Sequence, residues 1–454
     1  MTFSKKDIET PEKRGKCTIS VIGCGRMGLP TACLFAEAGF KVIGVDADQH
    51  AVNLIKKGKA PFFEPGLDDL LKKHAKEGRL TATNEAREAA SVSDIIIFVV
   101  PTPIDEKRKP IYSHVEKACK DVGMGMRSGT IIIFESTVGP GTTETLVKET
   151  LESASGLKAG TDFGLAYSPI HAMSGQVLED IANRPRVVGA VNELSLEVAC
   201  LVLSMVTKGG IVKVRNMKTA EAVKLFENMH RDVNLALTNE LARFCEKAGI
   251  DFIEAMEAAN MHPPCHLLSP GMVGGHIPKD PYLLFEEAEN VNARLRLAVL
   301  ARKINDEMLG HTLRLARDAL RQCRKTLMRA TISVLGVSYR PNVKESRGSS
   351  TLELVNMLRR RGAKVRVYDP FFSFKELREL GYPAEETLTK TIEGTDCLII
   401  AVGHEKFSRL NLEKIKFLVK KPAAIVDMGH AINPAKAEKE GFVYRGVGKG
   451  LWKQ

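Results

Sequence analysis

The sequence is poor in aromatic residues, with one tryptophan and 6% Phe, Trp and Tyr together. It also lacks clean basic tracts, since clusters such as "MLRRRGAK" interleave with carboxylates. The net charge of +11 therefore points to a small anionic ligand, a nucleotide or diphosphate, rather than to nucleic acid. Nine cysteines are present, yet no two are spaced as CxxC or as a zinc finger. That spacing excludes a standard metal site and argues against a disulfide framework, which suits a reducing cytoplasm. No apolar run approaches the roughly 20 residues needed to span a bilayer, so no membrane partner is expected. The first stretch, "MTFSKKDIETPEKRGK", has no apolar core and does not read as a secretory signal. Residues 1–16 read as a polar leader, either floppy or a short docking arm.

What is present is repeated α/β alternation over 454 residues, too long for one core. Thr18 to Ile22 is a short β-rich run, followed at once by Gly23, Gly25 and Gly28 in the spacing GxGxxG. Leu29 to Ala38 has helical apolar spacing and stops at Gly39. Lys41 to Val45 reads as a second strand, ending at Asp46. In this context the glycines have separate tasks: a tight turn at Gly23, close approach of a pyrophosphate at Gly25, helix–strand packing at Gly28. Arg26 and Met27 lie within the turn and join the expected cofactor-binding set. Asp46 would accept hydrogen bonds from ribose hydroxyls and repel a 2′-phosphate, so NAD is the expected cofactor.

The runs "DIIIFVV" (94–100) and "TIIIFES" (130–136) read as strands covered on both faces, and "LAYSP" (165–169) as another. In parallel sheets ligands sit at the carboxyl ends of strands, which nominates Thr102, Glu135 and Thr137. Thr219 to Ala248 is helix-like, with Thr219 as its cap. Lys224 and Asn228 share one face of it, and with Glu221 they form either a solvated stripe or a site wall. "ATISVLGVSY", "AKVRVYDP", "TDCLIIAVG" and "AAIVDMG" supply a second strand set without GxGxxG. The expected class is α/β, two Rossmann-like domains joined by a long central helical connector. The expected boundaries are 17–215, 216–325 and 326–454.

Many ordered motifs, among them "GCGRMGLP", "FFEPGLDDLL", "ESTVGPGTTE", "AEAVKLFEN" and "GVSYRPNVKESRGSS", resemble the UDP-glucose/GDP-mannose dehydrogenase family. The similarity is strongest to its UDP-N-acetylmannosamine dehydrogenase branch. The resemblance implies oxidation of a nucleotide-sugar 6-hydroxyl with NAD, in relatives through a cysteine thioester. It implies Thr137 near the reacting centre, and Lys224, Asn228 and Asp280 around a catalytic water and the sugar oxygens. Arg340 and the Gly274–Gly275 turn are implied at the substrate, and Arg347 and Thr102 at the cofactor. A homodimer or higher oligomer through the long helix is also implied.

Against that pattern the loop "SPGMVGGHIPKDP" has no cysteine: laid without gaps, His276 stands where the sulfur is expected, and with a gap the cysteine is missing between His276 and Ile277. Ile170 replaces an acid, Pro264 an arginine, and "DMG" (427–429) a DxR motif. Cofactor binding and first hydride removal keep their residues, while covalent aldehyde oxidation does not. The expected activity is an NAD-dependent oxidoreductase on a UDP-sugar, stopping at the aldehyde or passing through its hydrate. A transiently oxidising epimerase and a catalytically silent nucleotide-sugar binder remain as alternatives. Cys265 reads as a buried structural thiol rather than a substitute nucleophile, and with His262, His266 and His276 it matches no standard zinc spacing.

Overall fold

The computed structural model describes residues 8–450. Among them no helix is long and apolar enough to cross a membrane. The chain divides into two compact units: Met1–Asn228 with Lys279–Arg294, and Met229–Pro278 with Leu295–Gln454. The stretch 216–325 is thus shared between them.

The first unit is built on an eight-stranded sheet in the order β3-β2-β1-β4-β5-β6-β7-β8. The strands are β1 Thr18–Ile22, β2 Lys41–Val45, β3 Leu80–Thr83, β4 Ile95–Phe98, β5 Ile131–Phe134, β6 Gly164–Tyr167, β7 Arg186–Ala190 and β8 Ile211–Lys213. Every pairing is parallel except β6 with β7. In β4 and β5 the repeated "IIIF" is fully buried, because helices cover both faces and leave no side of these strands in water. One face packs Ile19, Val21, Ile95 and Ile97 with Leu29 and Phe35 of helix α1, Gly28–Glu37. The other packs Ile22, Ile96, Phe98 and Phe134.

Residues 1–7 of the leader lie outside the described residues, and the rest is no floppy tail. Ile8 is buried in the first face's core, a short helix runs Pro11–Arg14, and the Arg14 guanidinium donates to the carbonyls of Ile8 and Ala38.

The second unit has a five-stranded, all-parallel sheet, order β10-β9-β11-β12-β13. Its strands are β9 Thr331–Leu335, β10 Lys364–Tyr368, β11 Cys397–Ile400, β12 Ala423–Asp427 and β13 Phe442–Gly446. Helix α2, Met217–Ala248, begins in the first unit and ends in the second. Its cap is Asn216 rather than Thr219: Asn216 Oδ1 accepts the Thr219 N–H at 2.8 Å and its hydroxyl at 2.7 Å. An amide oxygen one residue before the helix reaches the third helical N–H, which Thr219 itself occupies.

β9, helix α5 (Thr351–Arg360) and β10 repeat the plan of β1, α1 and β2. Gly23 and Gly336 follow the first strand with φ of 97° and 99°. Each donates its N–H to the last residue of the second strand, Val45 at 2.7 Å and Tyr368 at 3.0 Å. The connections differ in length, 23–27 against 336–350. Between α2 and α5 lie α3, Asp280–Asn290, and α4, Arg296–Gln322.

Candidate active site

The first glycine turn is shaped by close approach. A Cβ on Gly23 would sit 2.4 Å from the Val99 carbonyl oxygen, and one on Gly28 1.8 Å from that of Gly23. Gly25 is exposed, and a Cβ there would meet nothing within 4 Å. The N-terminus of α1 has no side-chain cap and no acidic residue in its first turn, so its N–H groups suit an anion. Asp46 is partly exposed and accepts the backbone N–H groups of Cys24 and Asp48, each at 2.9 Å. An open second glycine, an uncapped helix start and an acid at the end of β2 fit a dinucleotide. Arg26 is held beside the turn by the Phe63 carbonyl at 3.3 Å and by stacking over Phe62. Met27 packs in a small apolar cluster with Ile170, Val99, Val177 and Ile181.

At the carboxyl ends of β4 and β5, Thr102 Oγ1 donates to the Thr137 carbonyl at 2.6 Å. Lys279 Nζ donates to the Thr102 carbonyl at 2.8 Å. Glu135 does not join them. It is 3% exposed and pairs with the buried Arg186, which also reaches Ser168. Burial pushes the Glu135 carboxyl up, against the pull of Arg186.

On α2 the face expected at the site is present. Lys224 Nζ donates to the Ile170 carbonyl at 3.0 Å, and Asn228 Nδ2 to Asp280 Oδ2 at 2.5 Å. Asp280 is 2% exposed, and Lys279 Nζ lies 3.2 Å from its other oxygen. Glu221, on the same face, is not part of a solvated stripe. It is fully buried and accepts N–H groups of Gly141 and Thr143 and the Thr143 hydroxyl. Burial raises its carboxyl to about 7. Glu64, in "FFEPG", is a residue that sequence reasoning passed over. It is buried and accepts the N–H groups of Gly175 at 2.9 Å and Val177 at 2.8 Å, pinning the loop that contains Ile170.

In the second unit Gly274 and Gly275 pack on the Arg340 loop. Gly275 N donates to Gly348 O at 3.0 Å, and a Cβ on Gly275 would come 2.8 Å from the Tyr339 ring. His276 follows and is exposed. The start of this loop hangs on a buried polar chain: Arg302 on Asp232, Asp232 and Asn239 on Asn305, and Asn239 Oδ1 on the Gly271 N–H at 2.7 Å. No sequence pattern announced these partners, which lie on α2 and α4. Arg340 is partly exposed, while Arg347 is mostly exposed and forked onto the buried Glu345. Pro264 is exposed. Cys265 is partly exposed rather than buried, and the other eight cysteines are buried. It lies in the segment 261–269, every residue of which is exposed or half-buried. Gly429 of "DMG" is required as glycine, since its Cβ would sit 2.2 Å from the Gly403 nitrogen.

Comparison with known proteins places the whole chain in one family. Residues 17–204, 218–307 and 333–434 match the NAD binding, central and UDP binding domains of the UDP-glucose/GDP-mannose dehydrogenase family. The chain is 35% identical to a UDP-N-acetyl-D-mannosamine dehydrogenase of Pyrococcus horikoshii, over 95% of this chain and 99% of that one. It is 31% identical to an NDP-N-acetyl-D-galactosaminuronic acid dehydrogenase of Ralstonia solanacearum, over 88% and 93%. Among solved structures, a UDP-D-ManNAc dehydrogenase from Pyrococcus horikoshii superposes with a TM-score of 0.88 at 35% identity, covering 95% of this chain and 99% of that one. A UDP-glucose dehydrogenase from Pyrobaculum islandicum gives 0.86 at 26% identity, covering 97% and 99%. The open glycine turn and the Lys224 helix thus sit in a chain that belongs to the UDP-glucose/GDP-mannose dehydrogenase family, NAD-dependent enzymes of nucleotide-sugar oxidation.

Proposed function

We propose that this enzyme removes a hydride from C6 of a UDP-linked sugar of the N-acetylmannosamine or glucose type, by a route with no cysteinyl intermediate. The observation that carries the reading is the pairing of Asp280 with Asn228 beside Lys224 on one helical face, close in sequence to a loop without a thiol. NAD, bound over Gly23, Gly25, Gly28 and Asp46, supplies the hydride acceptor. Lys224 stabilises the negative charge that develops as the 6-hydroxyl gives up its proton. Asp280, buried and held by Asn228, orients a water that takes that proton. Thr137 and Thr102 shape the edge beside them. The product of this step is the aldehyde.

Water then adds to the aldehyde, with the His276 imidazole taking its proton, and the hydrate is the species from which a second hydride can leave. Arg340 binds the nucleotide diphosphate, and Arg347 and Lys279 serve the cofactor side. The wider reading is a cytoplasmic homodimer or higher homo-oligomer acting in polysaccharide precursor synthesis. The exposed Phe226, Leu237 and Phe244 of α2 support self-association.

The test is incubation with NAD and UDP-N-acetylmannosamine or UDP-glucose, counting NADH per sugar consumed. One NADH with an aldehyde by mass spectrometry means a single oxidation, and two with a uronate mean the hydrate route. No NADH with any UDP-sugar would reject the proposal.

A further inference from the structure

The second unit contains a residue, His404, that ties its nucleotide loop to the acid after the second strand, a contact without a counterpart among the described residues of the first unit. Asp369 ends β10 as Asp46 ends β2, and it repeats the same backbone bonds. Asp46 Oδ2 accepts the N–H of Cys24, the residue after Gly23; Asp369 Oδ2 accepts that of Val337, the residue after Gly336, at 2.6 Å. Asp46 Oδ1 accepts from Asp48 and Asp369 Oδ1 from Phe371, both two residues on. The two acids differ in what covers them. Asp46 is partly exposed, whereas Asp369 is fully buried under His404, which is itself fully buried. His404 Nε2 lies 3.0 Å from Asp369 Oδ2, and the ring is wedged between Phe371 and Phe407 at 5.0 and 5.4 Å.

The other ring nitrogen is also committed. His404 Nδ1 accepts the backbone N–H of Asn342 at 2.9 Å, so the ring proton sits on Nε2, toward the carboxylate. Asn342 has φ +60°, a conformation that costs most residues free energy. Asn342 returns the bond, its Oδ1 accepting the Glu405 N–H at 2.9 Å. Arg340 lies two residues before this anchor. On its other side Ser338 Oγ donates to the Val343 carbonyl, and Tyr339 N donates to Glu345 O at 2.9 Å. Gly403 fixes where the histidine starts, because its Cβ would lie 2.0 Å from the Gly429 carbonyl oxygen.

We propose that His404 is a positioning residue for the nucleotide of the UDP-sugar: it uses the buried Asp369 as its support and holds the 336–350 loop, with Arg340, in its binding shape. The proposal rests on the reading of the second unit as the UDP site. It also means that Asp369 is spent on the loop, and the ribose of the nucleotide is not read there as it is at Asp46.

The experiment is calorimetry on the full chain, with UDP and NAD as separate probes. His404→Asn keeps an acceptor near Nδ1 and loses the donor to Asp369. His404→Gln keeps a donor near Nε2 and loses the acceptor for Asn342. The expected result is a loss of UDP affinity of about tenfold in His404→Gln and of less than about threefold in His404→Asn, from the loss of one backbone hydrogen bond. NAD affinity stays unchanged in both. A merely structural histidine would make the two variants alike, and that outcome, an unaffected His404→Gln, or a parallel loss of NAD binding would overturn the proposal. Should neither variant fold, Asn342→Ala on the exposed loop replaces them. Several-fold weaker UDP binding supports the proposal, and unchanged binding removes it. If the wild-type chain binds no UDP, the reading beneath the proposal falls, and the proposal with it.

Discussion

The β1–α1–β2 and β9–α5–β10 segments share strand register, a left-handed glycine after the first strand and an acid after the second, but their glycine turns are not alike. Residues 23–27 leave Gly25 bare and Asp46 reachable. Residues 336–350 fold over the corresponding edge, and His404 seals Asp369. The lesson is that a Rossmann scaffold does not by itself make a dinucleotide site. The length of one connection and one imidazole separate a partly exposed acid from a fully buried one.

Filling the open turn is the harshest way to break this contrast. Gly25→Val adds side chain where no protein atom stands, so NAD affinity is expected to fall by about a hundredfold or more as the backbone loses its approach to the pyrophosphate. The thermal midpoint should stay within about 2 °C. Calorimetry with NAD and a melting curve check both halves.

The paired acids sharpen it. Asp46→Asn is expected to weaken NAD by about tenfold, through loss of a charged acceptor, with little change in stability. Asp369→Asn should cost about 2–4 kcal/mol of stability, since a buried pair loses one partner, and leave NAD binding as it was. Denaturant titration beside NAD binding separates the two outcomes.

A third test concerns the first unit's own buried acid. Glu221 has its carboxyl raised from 4.5 to about 7 by burial, so the folded state prefers its neutral form. Stability should therefore fall as pH rises from about 4.5 to about 7, by about 3 kcal/mol. Glu221→Gln should flatten that slope, as denaturant midpoints across pH 4–8 would show. The smallest effect belongs to Cys265→Ser, which should leave both turnover and NADH per sugar unchanged. A drop to zero would reveal a thiol at work after all.

Much of the scaffold could be read beforehand because its causes are local. Thr18–Ile22, Lys41–Val45 and Ala423–Asp427 end where β-rich runs meet glycine or an acid. The GxGxxG turn is a matter of neighbouring residues, and its glycines are tight where expected. Lys224 and Asn228 share a face because helical spacing puts them there. Other features depend on partners distant in the chain, which no periodicity encodes. Glu135 looked like a strand-end ligand until Arg186 claimed it, and Glu221, read as part of a solvated stripe or a site wall, is buried where the 141–143 turn closes on it. His404 and Asp369 stand 35 residues apart and carry no shared motif. Thr219 yielded the cap to Asn216 because two polar residues three positions apart both fit the local rule.

The anchor of Lys224 has an evolutionary consequence. The ammonium is tied to the carbonyl of residue 170 and not to its side chain. Every amino acid brings that oxygen, so natural variation at this position can exchange a carboxylate for an isoleucine without untying the lysine.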